Sequence, residues 1–252
     1  MRLVDTHAHL AEKVFDTDRA EVVARARQAG VEGVVSVGET VEDARRNLEL
    51  AAEYPDFVQP AAGLFPTHLD LDHADRLIAL IREQPGAWRA IGEVGLDYWK
   101  VKDEPEREIQ REIFGRFVDL AIELDLPLNV HSRSAGRHAI AFLIDRGARR
   151  VHLHAFDGRA ARAEAGVEAG FFFSVPPSVV RSVQKQKLVR RLPLSCLLAE
   201  TDSPVLGADP GERNEPANAV LAVKAIAELK GLEIEEVAEV LWNNTQRLYE
   251  MR

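Results

Sequence analysis

Six side chains of the kinds that hold divalent metals stand at or just past the ends of apolar runs in this chain: His7, His9, Glu93, His131, His154 and Asp202. Leu3 and Val4 read as a short buried strand, with the chain leaving it from Asp5 onward. In extended chain, residues two apart point to the same side, so His7 and His9 aim their imidazoles at one place. Neutral imidazole is a common ligand for zinc and similar ions. A lone His-x-His pair is as readily two polar residues of an N-terminal loop. The recurrence of histidine and carboxylate at later strand ends is what points to a metal site. Six donors exceed the three protein groups of an ordinary mononuclear catalytic zinc site. A two-metal centre, with ions about 3.5–4 Å apart, is therefore the expectation. These donor types admit zinc, magnesium, manganese, cobalt or nickel.

Such convergence needs elements to arrange it. Apolar runs suited to strands cover Leu3 and Val4, then residues 33–38, 57–62, 88–93, 126–131, 150–154, 171–175 and 194–200. Between them lie helical patterns over 16–28, 41–54, 74–83, 105–124, 137–145, 160–168 and 179–190, and two more follow over 216–230 and 233–250. In the longest, Ile109, Ile113, Phe117, Leu120 and Leu124 recur at helical spacing. Runs such as Val34-Val35 and Leu197-Leu198-Ala199 suit strands buried on both faces of a parallel sheet. Eight strand–helix repeats without a break or linker predict an α/β chain folded as one (β/α)8 TIM barrel over residues 1–252. A doubly wound sheet is the alternative, but it brings the six residues together less readily. In a barrel, the C-terminal strand ends share one mouth.

With 46% hydrophobic and 29% charged residues, the composition is that of a globular protein. No apolar run approaches ~20 residues, which predicts no membrane span. The start lacks a signal-peptide core, and the single cysteine, Cys196, suits a reducing compartment, so a cytoplasmic location is expected. The formal net charge of −9 argues against a general electrostatic grip on nucleic acid. It leaves room for an anionic substrate, because bound metal reverses the local field.

Ordered motifs extend the reading: Asp5-Thr6-His7-Ala8-His9, Gly92-Glu93-Val94-Gly95-Leu96-Asp97-Tyr98, Asn129-Val130-His131-Ser132-Arg133, His154-Ala155-Phe156-Asp157-Gly158, Glu200-Thr201-Asp202-Ser203-Pro204 and Arg213-Asn214-Glu215-Pro216. In this order they resemble the TatD-like metal-dependent hydrolases, within the amidohydrolase-type barrels. The resemblance implies a deoxyribonuclease or related phosphodiesterase with DNA as substrate. It also implies that Glu93 bridges two metals, with His7, His9 and Asp202 on one ion and His131 and His154 on the other. Two positions depart from the pattern. Many members carry histidine where Phe65 stands, and Asp157 occupies a place often held by a small neutral polar residue. Both bear on substrate choice rather than on metal binding.

Among other residues, Arg133 follows a ligand and is expected to hold a phosphate oxygen bidentately. Tyr98, Arg213 and Asn214 are expected near the substrate, with Arg213 and Asn214 also orienting the loop at Asp202. Lys100, Arg137 and Arg159 read as ordinary exposed loop residues. Glu200, two before Asp202, is expected to fix a metal-bound histidine or water. His152 reads as a buried, hydrogen-bonded residue one layer below His154, while His68, His73 and His138 read as surface residues. The expected chemistry is phosphodiester hydrolysis by a hydroxide bridging two metals, with Asp202 relaying the proton and Arg133 stabilising charge on phosphorus. A mouth with no large basic groove admits a single strand or frayed end more readily than a rigid duplex, so single-stranded DNA is the expected substrate. Exonuclease action is the expectation, with endonuclease action the alternative. The rivals are a cyclic-amide hydrolase or deaminase, and a non-catalytic metal-binding barrel. Related barrels often bridge their metals with a modified lysine on strand four, where this chain has Glu93.

Overall fold

A computed structural model describes residues 1–251. Its eight strands are β1 (Leu3–Ala8), β2 (Val31–Ser36), β3 (Val58–Ala62), β4 (Ala90–Gly95), β5 (Leu128–His131), β6 (Val151–Leu153), β7 (Phe172–Val175) and β8 (Leu197–Ala199). They form one parallel sheet in sequence order. The barrel closes where Ala8 bridges Ser203 just past β8, and Thr6 Oγ1 donates to the Ala199 carbonyl at 2.9 Å. This is the (β/α)8 barrel that the repeats predict.

The helices are α1 (Arg19–Gln28), α2 (Val41–Glu53), α3 (Leu71–Glu83), α4 (Glu104–Leu124), α5 (Gly136–Asp145), α6 (Glu164–Glu168), α7 (Val183–Arg191), α8 (Ala219–Lys230) and α9 (Ile234–Tyr249). Local chemistry sets several starts. Asp70 accepts the His73 N–H at 2.8 Å to cap α3, and Thr40 and Ser182 cap α2 and α7 in the same way. Some boundaries differ from the sequence pattern. The expected helix over 160–168 is a 3-10 turn followed by the five-residue α6, and the pattern over 179–190 is likewise split before α7. β1 runs on through Asp5 and Thr6, because both polar side chains find partners at the closing seam.

The main core lies where the helices pack on the strands, with Phe15, Leu77, Phe117, Leu143, Leu153, Val189 and Ile226 all buried. A smaller cluster joins Val35, Val37, Ala61, Ala90, Phe172 and Leu198 to Tyr249 of α9. Tyr249 is 1% exposed, and its hydroxyl meets Asn129 Nδ2 at 3.1 Å and His152 Nδ1 at 2.7 Å. It therefore forms a floor beneath the strand ends. Among the described residues, no helix is long and apolar enough to cross a membrane.

Candidate metal centre and active site

β1 delivers His7 and, one step beyond its end, His9. Their Nε2 atoms lie 3.3 Å apart. Asp202 reaches them from the far side of the closing seam. Its backbone is in the left-handed region (φ 54°), and its N–H donates to the His7 carbonyl at 2.8 Å. That turn aims the carboxylate back, with Oδ1 3.4 Å from both His7 Nε2 and His9 Nε2. Asp5 locks the seam by accepting from Thr201 N at 2.8 Å and Thr201 Oγ1 at 2.5 Å.

The other half of the cluster comes from β4, β5 and the end of β6. Glycines let these strands close up. A side chain at Gly92 would meet Asn129 Cβ at 2.7 Å, and one at Gly95 (φ 148°) would run into the His131 carbonyl. Glu93 Oε1 consequently lies 2.8 Å from both His131 Nδ1 and His154 Nε2. Glu93 Oε2 faces the first pair, 3.4 Å from His9 Nε2 and 3.8 Å from His7 Nε2, and makes no hydrogen bond. One buried carboxylate thus presents one oxygen to each imidazole pair.

The outward ring nitrogens decide which lone pairs point inward. Asn129 Nδ2 donates to the Thr6 carbonyl at 3.0 Å, so its Oδ1 accepts from His7 Nδ1 at 2.8 Å. His7 Nε2 is then the nitrogen left facing the cluster. His131 Nε2 similarly donates to Asp97 Oδ2 at 3.1 Å, freeing Nδ1. Anchoring the far nitrogen is how proteins orient metal-binding histidine. Imidazole nitrogens and carboxylate oxygens converging in a buried site, with Glu93 Oε2 among them left without a hydrogen bond, fit a cation. Three overlapping groups are close enough to hold one: His7 with His154 and Asp202, His7 with His9 and Glu93, and Glu93 with His131 and His154.

The charge states of these side chains follow from this crowding. Burial pushes the Glu93 carboxyl up, but His154 and His131 outweigh it and hold it well below the usual range. Asp202 is lowered against burial by its bonds to His7 and His9. Burial lowers His9 and His131, yet carboxylate partners raise them to about 10 and about 9. Burial instead takes His154 down to about 4 and Glu200 up to about 8.

The cluster opens into a cavity of about 460 Å³. Glu12, Glu39, Asp157, Arg133 and Lys185 line it, together with an apolar wall of Phe65, Val205 and Leu206. Phe65 packs edge-on to His131, with ring centres 5.0 Å apart, and Asp157 accepts the Ser134 N–H at 3.0 Å. Arg133 is exposed at the rim, its guanidinium 3.8 Å over the Trp99 ring.

Other expected positions lie elsewhere. Tyr98 turns to α4, its hydroxyl 3.1 Å from Arg111 and its ring under Arg107. Arg213 pairs with Asp18 at 2.6 Å, and Asn214 donates to the Thr201 and Val205 carbonyls at 2.8 and 2.7 Å. None of these three lines the cavity; Arg213 and Asn214 brace the loop that carries Asp202. Glu200 holds the peptide after His154, accepting from Ala155 N at 2.9 Å, and stands 3.8 Å from the His154 ring itself. His152 bonds to Tyr249, outside the cluster. His138 is exposed, but His68 and His73 are half-buried rather than on the surface, and His73 Nε2 accepts the Val41 N–H at 3.2 Å.

Asn129, Asp97 and Lys185 are the contributors that sequence reasoning missed. Asn129 had a signal, since it stands two before His131 and must share its face. Asp97 has a testable role. Asp97→Asn keeps an oxygen for the Trp99 and Lys100 N–H groups but removes the charge behind His131. Metal affinity should fall about tenfold or more, read by titration against a chelator. Unchanged affinity would reduce Asp97 to a loop-shaping residue.

A barrel with a buried histidine–carboxylate cluster at the C-terminal ends of its strands fits the class of metal-dependent hydrolases. A family model described as TatD related DNase matches residues 4–250, and the chain belongs to this family. The human protein called deoxyribonuclease TATDN3 is 42% identical over 258 residues, covering 98% of this chain and 94% of its own. A Bacillus subtilis protein described as the uncharacterized metal-dependent hydrolase YabD is 37% identical, covering 98% of each. The crystal structure of the TatD homologue YjjV from Escherichia coli superposes with a TM-score of 0.91 at 30% identity, over 100% of this chain and 99% of that one. The chain is accordingly a metal-dependent hydrolase of the TatD type.

Proposed function

We propose that this chain hydrolyses phosphodiester bonds in DNA, preferring single strands and working from an end, at a two-metal site held by His7, His9, Glu93, His131, His154 and Asp202. The observation that carries the reading is the split of Glu93, with Oε1 toward His131 and His154 and Oε2 toward His9 and His7. Glu93 would bridge, with His7, His9 and Asp202 completing one ion's ligands and His131 and His154 the other's. Two divalent ions would supply a water acidic near neutral pH and positive charge against the phosphate oxygens. The donor set leaves zinc, magnesium, manganese, cobalt and nickel all admissible.

The chain's own residues do the rest. Asp202 lines the cavity as a carboxylate, accepts the proton of the attacking water and returns it to the leaving oxygen. Arg133, at the rim, steadies the phosphate chain outside. Val205, Leu206 and Phe65 offer an apolar surface to a base, while Glu12, Glu39 and Asp157 repel phosphates not neutralised by metal. A cavity of about 460 Å³ has the scale of a nucleotide, which supports a preference for single strands.

The test is a panel in which metal-loaded protein meets a single-stranded oligonucleotide, a blunt duplex, a simple phosphodiester and a cyclic amide. Single strands should be cut severalfold faster than blunt duplex under conditions where ends do not fray. Equal rates would remove the strand preference. Turnover of the cyclic amide with none of DNA would overturn the reading.

A further inference from the structure

The cavity contains an ammonium to which the reaction as described gives no task. Lys185 belongs to α7, whose start is fixed by Ser182 Oγ accepting the Lys185 N–H at 3.3 Å. Its side chain turns inward and the residue is only 9% exposed. Nζ donates to the Ala155 carbonyl at 3.0 Å, and among the described residues it forms no ion pair. An ammonium has three donors, so two remain in a cavity shared with Glu93, His131, His154 and Asp202.

A buried cation without a paired anion is costly, and it persists where something arrives to pair it. Burial pulls this amine below the ordinary lysine range, while Glu200, Asp202 and Asp157 act on it only from a distance. Arg133 is no substitute, being exposed and stacked on Trp99. Lys185 is the inner cation, one peptide from His154.

We propose that Lys185 is a substrate-binding residue that donates to a non-bridging oxygen of the phosphate held beside His154. The identity of the anion rests on the phosphodiester reading above; the presence of an anion subsite does not. A lysine that served only to hold the Ala155 turn would behave differently. Ala155 has φ 41°, and its N–H is already bound by Glu200 at 2.9 Å. Losing a purely structural tie there would disturb His154 and metal binding, and would leave phosphate affinity unchanged once metal is restored.

The experiment uses the metal-loaded full chain and its Lys185→Met variant. Inorganic phosphate is titrated calorimetrically, metal is counted by elemental analysis, and KM and kcat are measured on a single-stranded oligonucleotide. Lys185→Met should keep its metal, bind phosphate roughly ten- to a hundredfold more weakly and show a comparable rise in KM, the scale of one charge-assisted hydrogen bond. Phosphate affinity within twofold of the unaltered protein, or metal loss that accounts for the whole defect, would overturn the proposal. A measurement on the unaltered protein covers the case of a variant that does not fold. Phosphate should slow acetylation of Lys185, read by mass spectrometry, and an unchanged rate would sink the idea. If no nucleic acid is cleaved but phosphate binding still depends on Lys185, the phosphodiester reading falls and the anion subsite stands. If Lys185→Met cleaves DNA with unaltered KM, the reverse holds.

Discussion

Glu93→Gln should fold, lose one of two metal ions and lose at least about a thousandfold in turnover. Glu93 is 1% exposed, and each of its oxygens serves a different imidazole pair. The amide has nearly the same shape, so the contacts of β4 with its neighbours survive. The charge does not. Two dications about 4 Å apart repel with roughly four times the ~4 kcal/mol of a unit pair at an effective dielectric of 20, and the bridging carboxylate offsets much of that. Glutamine also turns an NH2 group toward one of the imidazole pairs, where a lone pair is required. Elemental analysis after reconstitution should give about two ions for the unaltered chain and about one for the variant. Melting in excess chelator should be nearly equal for both. Retention of both metals at unaltered affinity would remove Glu93 from the bridging role, and a single ion in the unaltered chain would remove the two-metal mechanism.

What was legible in the sequence, and what was not, divides along the line between topology and side-chain partners. Eight apolar runs alternating with helical patterns already imply a barrel, and the barrel implies that strand ends meet, so the six proposed ligands follow from position alone. Asn129 was available by the same alternation, two residues before His131. The apolar pattern ends β1 at Val4 because Asp5 and Thr6 look like an exit, whereas the strand runs to Ala8. Only closure of the barrel supplies Thr201 and the Ala199 carbonyl as partners for them, almost two hundred residues away in sequence. The partners that draw Tyr98 and Arg213 away from the cavity were hidden for a related reason. Arg213 is engaged by Asp18 and Tyr98 by Arg111, partners that no local spacing announces. Lys185 was invisible because a lysine on a polar-looking helix ordinarily faces water; that this one faces the cavity depends on how α7 packs against the loop after β6.

Asp202→Asn separates the chemistry from the metal. Asparagine tolerates the left-handed backbone that Asp202 adopts at φ 54°, so the turn beyond β8 should persist, with its N–H still donating to the His7 carbonyl. Its amide oxygen can still face His7 and His9, where Asp202 Oδ1 now stands 3.4 Å from each. What asparagine cannot do at neutral pH is accept a proton. If Asp202 takes the proton of the attacking water, turnover should fall about 10²-fold or more, the scale of a lost general base, while much of the metal stays. KM should change less than kcat, since the group acts on the reacting water and not on the phosphate. The contrast with Glu93→Gln is the point of measuring both, one variant failing through metal loss and the other with metal in place. Should Asp202→Asn turn over within a fewfold of the unaltered chain, the proton passes elsewhere and Asp202 is a ligand only; should it lose its metal as completely as Glu93→Gln, the two roles are not separable at this site.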